Sequence, residues 1–467
     1  MTMKTRLEPT NVSRRAVMLG VSAGALLLAT RLGSPAYAQD KKFGGEGMPG
    51  GLKDDPRIFL SIADDGEIVL LCHRGEMGQG VRTSWAMVIA DELEADMSRL
   101  RVVQARGDEA RFGNQNTDGS RSMRHHFWPL RRIAASARRM LEEEAASQWS
   151  VPVAEVRAER HEIMHPASGR RLGFGALARG ASGRTVPPVD RLAFKSADRF
   201  RYIGKEDVAL VDNADITTGR AVYGIDARID GMAYAVIARP PVYGGKVGTF
   251  DASETLKVPG VLEVVEMPVP TFPSAFQPLG GIAVVAENTF AAIKGRSLLK
   301  VVWDDGPNRS YDSIEYRRQM EAASQKPGKV VRANGDVDRA RTQAARRVAA
   351  SYYIPHVAHV PIEPPTATAR VTADQCEIWC SAQAPESIRP DLAKRFGIAP
   401  DKIVINLLLI GGGFGRKSKP DFAIEAAILS RAMGGRAVKV TFTREDDLQN
   451  GYLNTVSVER LEAGLDA

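Results

Sequence analysis

Four glycines around one aromatic, Gly411-Gly412-Gly413-Phe414-Gly415, follow directly on the nearly continuous apolar stretch Lys402 to Ile410. Such a stretch reads as a strand buried on both faces, and the glycines force a tight backbone excursion at its end. Each glycine costs backbone entropy, so close approach of the backbone to a ligand explains the run better than packing does. A plain turn is the alternative. Arg416-Lys417-Ser418 gives the loop the look of a phosphate loop, but that motif needs glycine before its lysine and Arg416 stands there. This argues against a nucleotide triphosphatase.

Two further loops have the same character. Glu76-Met77-Gly78-Gln79-Gly80 lies between a predicted strand and a helix starting near Arg82, with Trp85, Ile89 and Leu93 at i, i+4, i+8. Glycines there let backbone N–H groups approach an anion at a helix terminus, and Gln79 offers a donor and an acceptor to a heterocycle edge. The third glycine of a dinucleotide fingerprint is replaced by Thr83. Asn114 to Ser122, with Thr117, Gly119 and Ser120, is polar and small and suits phosphate or pterin recognition. An ordinary turn is the alternative for each loop.

The charge balance excludes a general nucleic-acid binder. Of the formal +7, residues 1–38 supply +4 (Lys4, Arg6, Arg14, Arg15 and Arg31 against Glu8), which leaves +3 for the rest. Three cysteines, Cys72, Cys376 and Cys380, form neither a disulfide framework nor a cluster-binding pattern and read as small buried hydrophobes. His356, His359 and Glu363 sit among prolines without a helical frame, so no metal site is assigned to them. His125 and His126 are adjacent, point different ways and read as structural.

Arg14-Arg15 precede the uncharged run Ala16 to Thr30, and Ala36-Tyr37-Ala38 ends the segment. Fifteen helical residues span about 22 Å, short of a ~30 Å hydrocarbon core. Residues 1–38 therefore read as a twin-arginine signal that exports a folded, cofactor-bearing protein to the periplasm. An uncleaved membrane anchor is the alternative.

Beyond a linker at Gly44 to Pro56, a hairpin is expected from Arg57–Ile62 and Glu67–Cys72, and a strand at Leu100 to Ala105. Pro129 is expected to open a helix whose apolar stripe leaves Arg131, Arg132, Arg138 and Arg139 on a solvated face. Strands run to about Trp303, a polar, helical linker follows, and paired strands are expected at Ala367–Val371 and Cys376–Cys380, with a helix at Phe422 to Leu429. Strands and helices mix without steady alternation, so the class is α+β.

Taken in order, the loops at 76–80 and 411–417 and the segment Ala358 to Pro364 resemble the molybdopterin-binding subunit of the xanthine dehydrogenase/aldehyde oxidase family. The nearest branch is that of isoquinoline 1-oxidoreductase beta subunits and membrane-associated aldehyde dehydrogenases. Asp215 to Asp226 resembles the opening of the family's hammerhead domain, and Thr443-Arg444-Glu445-Asp446-Asp447 matches another recurrent segment. The resemblance covers roughly residues 55 to 467. Beyond the signal read at 1–38, it implies a molybdopterin-binding portion at 55–200, a hammerhead-like domain at 201–305, a linker at 306–345 and the start of a second molybdopterin-binding domain at 346–467.

The resemblance also assigns residues. Gly78, Gln79 and Gly80 would contact the pyranopterin or its dinucleotide tail, of the cytosine form. Thr117, Gly119 and Ser120 would fall in a second contacting loop, where Asp118 replaces a frequent glycine and its carboxylate would repel phosphate. Gly412, Gly413, Phe414, Gly415 and Arg416 would wall the molybdenum site. Ile362 and Glu363 match a Leu/Met-Glu pair, and Val357 falls where xanthine dehydrogenase has a glutamine near the metal. The implied reaction puts water-derived oxygen on an electron-poor carbon of an aldehyde or N-heterocycle, with electrons leaving through the pterin to iron–sulfur clusters. Since this chain lacks the thiolates for them, the clusters belong on a separate small [2Fe-2S] subunit, with a membrane c-type cytochrome subunit as a further partner that holds the complex at the inner membrane.

The family's general base is a glutamate in a late Gly-x-Gly-Glu segment, and none follows Thr443 here. The catalytic base is therefore unassigned, with Glu363 and Glu76 as substitutes that nothing favours. Ser457 to Ala467 reads as half a hairpin lacking its return strand. The chain is expected to be an N-terminal part of such a subunit, inactive by itself. A non-catalytic exported cofactor-binding or maturation protein is the alternative function, and a solute-binding protein a more remote one.

Overall fold

The computed structural model describes residues 51–466, so the twin-arginine segment lies outside the described residues. The described residues are α+β and divide into two units: residues 51–234 with 365–441, and residues 235–364 with 442–466.

The first unit opens with a helical turn, Pro56–Phe59, in place of the first half of the expected strand. The cause is local: Asp55 accepts the Arg57 N–H at 2.9 Å, and Pro56 fits the first helical position. Strand β1 is thus only Leu60–Ile62, antiparallel to β2, Ile68–Cys72. Helix α1, Val81–Leu93, buries Trp85, Ile89 and Leu93, and strand β3, Leu100–Gln104, runs parallel to β2. Helix α2, Phe127–Trp149, places Leu130, Ile133, Met140 and Leu141 in the same core.

The expected solvated arginine face of α2 is not what forms. Arg131 is buried and its Nε donates to Glu92 Oε2 of α1 at 2.7 Å, while Arg138 lies 3.3 Å from Glu92 Oε1. A buried Glu92 carboxylate has to be paired, and two arginines of the neighbouring helix do it. Asp91 plays a comparable role for an incoming loop, accepting the N–H groups of Arg201, Tyr202 and Ile203 at 2.7–3.0 Å.

The later segment of this unit supplies strands β4, Thr366–Val371, and β5, Cys376–Cys380, antiparallel as expected. Strand β6, Ile403–Leu407, runs parallel to β5. It stands at the end of the sheet order, and only Ile403, Ile405 and Leu407 are buried. The reading of a strand buried on both faces is therefore corrected to a half-buried edge strand. Helix α3, Asp421–Ala432, follows the glycine run, and β7, Val438–Thr441, pairs with the other side of β4. All three cysteines are buried and none is in a disulfide; burial raises Cys72 to about 11 and Cys376 to about 12, as for inert thiols.

The second unit contains the antiparallel pairs Lys246–Asp251 with Lys300–Asp304 and Val261–Met267 with Gly281–Ala286. Helices Ser313–Ser324 and Val337–Gln343 lie in the polar stretch. The last strand does not want for a partner: Ser457–Leu465 pairs antiparallel along its whole length with Arg346–Ile354. The half-hairpin reading looked for a return strand downstream, whereas the partner lies upstream. Thr443 and Asp446 form a reciprocal cap on the helix Arg444–Asn450, which gives the Thr443 to Asp447 segment a structural role.

A candidate pterin site built on three loops

The first loop is organised around its own glutamate. Glu76 Oε1 accepts the N–H groups of Gly78 (3.0 Å) and Gly80 (2.9 Å), and Oε2 accepts that of Arg82 (3.1 Å). These are the donors at the N-terminus of α1, where an anion is favoured. The expected approach of a ligand anion to them is corrected: Glu76, buried, is the anion. Gln79 is likewise committed, since its Oε1 accepts the Met77 N–H at 2.7 Å and its Nε2 donates to Gly75 O at 2.9 Å. What the loop offers outward is bare backbone. Gly78 has φ +99° and nothing within 4 Å of where a Cβ would stand.

The second loop hangs on Arg74, a fully buried side chain that sequence reasoning missed. Its Nε donates to Ser122 Oγ at 3.0 Å, its Nη1 to Asn114 O and Oδ1 at 2.8 and 2.9 Å, and its Nη2 to Asn116 O. Burial pulls the guanidinium down to about 10. Next to it, His73 and His126 are fully buried with ring centroids 5.3 Å apart. Burial drives both toward the neutral form, His126 to about 3. Thr117 is buried and its hydroxyl accepts the Gly75 N–H at 2.8 Å, which joins this loop to the first. Gly119 and Ser120 both have positive φ and lead into the turn Arg121–Arg124. Asp118 is paired with Arg121 at 2.9 Å, so the carboxylate expected to repel phosphate is balanced in place.

The third loop is held by Gln383, also missed. Its Oε1 accepts the Gly415 N–H and its Nε2 donates to Thr117 O, each at 3.0 Å. Its backbone accepts from Thr117 N at 2.7 Å and donates to Lys417 O at 2.8 Å. A Cβ on Gly413 would stand 2.4 Å from Gln383 Oε1, so this side chain already accounts for a glycine at 413. Arg416 is fully buried and donates to both oxygens of Asp421 at 2.7–2.8 Å. Phe414, at φ +52°, is 69% exposed. Glu363 belongs to the second unit, where it is buried and Arg444 Nη2 donates to the carbonyl of the preceding Ile362 at 2.9 Å.

The Ile410 N–H donates to Glu76 O at 2.8 Å, which brings the first and third loops together. Between them lies a cavity of about 170 Å³, lined by Gly78, Gly80, Gly412 and Tyr223 with Glu76 and Asp212. Asp212 is paired with Arg82 at 2.9 Å. Typical ligand clefts run to roughly 300–1,000 Å³, so this one takes one end of a large ligand. Glycine backbone, the apolar Leu210, Ile216 and Ile410, and carboxylates already occupied fit a flat heterocycle lying along the loops better than a bare phosphate.

The molybdopterin cofactor-binding domain families match residues 40–215 and 322–467. These matches and the relatives named next support a molybdopterin-binding subunit like those of the xanthine dehydrogenase/aldehyde oxidase family. It is 33% identical to the membrane-bound aldehyde dehydrogenase (pyrroloquinoline-quinone) of Gluconacetobacter polyoxogenes, over 99% of this chain and 59% of that protein. It is 30% identical to the beta subunit of isoquinoline 1-oxidoreductase from Brevundimonas diminuta, over 99% and 64%. To a nicotinate dehydrogenase subunit of Pseudomonas putida it is 30% identical, over 88% and 34%. The chain thus spans less than two thirds of each of these relatives.

Proposed function

We propose that the chain is the pterin-holding portion of a molybdenum hydroxylase large subunit that oxidises aldehydes or N-heterocycles with water as the oxygen source. The observation that carries this reading is the convergence of the 76–80, 114–122 and 411–418 loops within one unit of a chain that both molybdopterin-binding families match. The names of the relatives support the two substrate classes. Gly78, Gly80, Gly412 and the backbone of 413–415 would hold the pterin, with Gly119 and Ser120 nearer its tail. When bound, a molybdenum pterin supplies a centre that takes two electrons from the substrate carbon. The protein's part is to orient the pterin along glycine backbone and to keep Glu76, Asp212 and Arg416 neutralised in place.

The cytosine dinucleotide form, a [2Fe-2S] small subunit, a c-type cytochrome partner, a hammerhead-like domain and periplasmic location by the twin-arginine route belong to the same proposal. The chain spans 59% and 64% of the first two relatives' lengths, and no residue of it is assigned the general base. The test is turnover of aldehydes and N-heterocycles with an artificial electron acceptor, by the chain with its partner subunits, from cells grown on molybdate or tungstate. Molybdate-dependent turnover supports the reading. Turnover that follows added pyrroloquinoline quinone instead, or bound pterin with no turnover of either substrate class, overturns it. Export is tested separately: Arg14→Lys with Arg15→Lys should trap precursor in the cytoplasm, and normal periplasmic accumulation would remove the twin-arginine route.

A further inference from the structure

We propose that Gln383 is the positioning residue that sets the spacing between the 114–122 and 411–418 loops, and through it the grip on the pterin. The inference rests on the proposed cofactor and names a residue to which nothing else assigns a role. Gln383 is buried, and its two amide ends go to different loops: Nε2 to Thr117 O, Oε1 to the Gly415 N–H, each at 3.0 Å. An amide suits both tasks at once, one end donating and the other accepting. A glutamate would lose the donor and an alanine both ends, leaving a buried carbonyl and a buried N–H without their partner. Gly413 records the same constraint from the other side. Its backbone is not in the positive-φ region, so alanine suits the conformation there, yet a Cβ would meet Gln383 Oε1 at 2.4 Å and Cδ at 2.8 Å. A loop that shifts to admit that Cβ must move Gly415, and with it the wall made by its backbone.

The experiment uses the full chain produced in a host that makes molybdopterin. Molybdenum per chain is followed over time after purification, and amide exchange is measured on the cofactor-free protein. Gln383→Ala should lose molybdenum about tenfold faster than the parent and speed exchange at Gly415 more than at Gly78 and Gly80, with a melting temperature of the cofactor-free form lowered by the two lost hydrogen bonds. Gly413→Ala should do the same. The double variant Gly413→Ala/Gln383→Ala should be no worse than Gln383→Ala alone, because the obstructed side chain is gone. Gln383→Glu, which keeps the acceptor for Gly415, should fall between, and it carries the comparison if the alanine variant does not fold. Retention equal to the parent's in Gln383→Ala and Gln383→Glu, or independent addition of the two alanine effects, overturns the proposal. A parent chain without molybdenum overturns the cofactor reading instead, while unchanged exchange at Gly415 in Gln383→Ala still counts against the lacing.

Discussion

The first and third glycine loops look alike in sequence and are held by opposite means. In the first, the carboxylate of Glu76 closes on N–H groups two, four and six residues ahead. In the third, the Gly415 N–H is met by Gln383 from 32 residues away, and the same side chain reaches Thr117 across 266 residues. Closing a loop on itself costs little chain entropy, whereas a distant clamp exists only once the surrounding unit has formed. The first loop should therefore keep its shape whenever α1 is folded, and the third should report on the whole unit.

Substitutions separate the two. The largest effect is expected at Arg74, whose loss removes its buried hydrogen bonds to Ser122 and Asn114 and the one to the Asn116 carbonyl: Arg74→Met should lower stability by roughly 3 kcal/mol, read as a lowered urea midpoint. Glu76→Ala should cost about 2 kcal/mol and speed amide exchange at Gly78, Gly80 and Arg82 while leaving Gly415 unchanged; acceleration at Gly415 would show that the loops are not independent.

The buried His73 and His126 give the cluster a pH dependence. Their folded-state pKa values lie below the unfolded value near 6.5, so the stability they permit is complete above that pH. It is lost as pH falls from 6.5 toward about 3, where the unfolded chain takes protons that the folded chain refuses. The loss from His126 should be roughly 1–2 kcal/mol by pH 5, and His126→Phe should flatten it in urea titrations run at several pH values. An unchanged slope would mean that His126 is solvated. The smallest effect is expected at the half-exposed Asp118–Arg121 pair: Asp118→Asn should change stability by less than about 1 kcal/mol.

Much of this cluster was legible in the residues, because glycine runs between apolar segments and a hydrophobic stripe at helical spacing are local signals. The paired strands β4 and β5, helix α3 and the buried cysteines follow from such patterns. What escaped was non-local. Gln383 sits in Ser381-Ala382-Gln383-Ala384-Pro385, where a lone amide among small residues at a strand's end was the available signal, and nothing nearby names its partners. Arg131 lies off the apolar stripe, and Glu92 from another helix, with Phe194 and Phe200 from a distant loop, makes it a buried residue. Ser457–Leu465 lacked a neighbour in sequence and has one in Arg346–Ile354. Gln79 and Arg416 were read for their free side chains' capacity, and the contacts that residue type alone could not name are local ones, to Met77 and Gly75 and to Asp421.

The central claim is that the three loops together hold a molybdenum pterin. The direct measurement is elemental molybdenum, together with the fluorescence of the oxidised pterin released by acid, on the full chain purified from a molybdopterin-producing host. Stoichiometric molybdenum and pterin, both reduced in Gly78→Val, where the added side chain would fill the open face of the first loop, is the predicted result. A chain that carries neither, or that carries pyrroloquinoline quinone in their place, would contradict it.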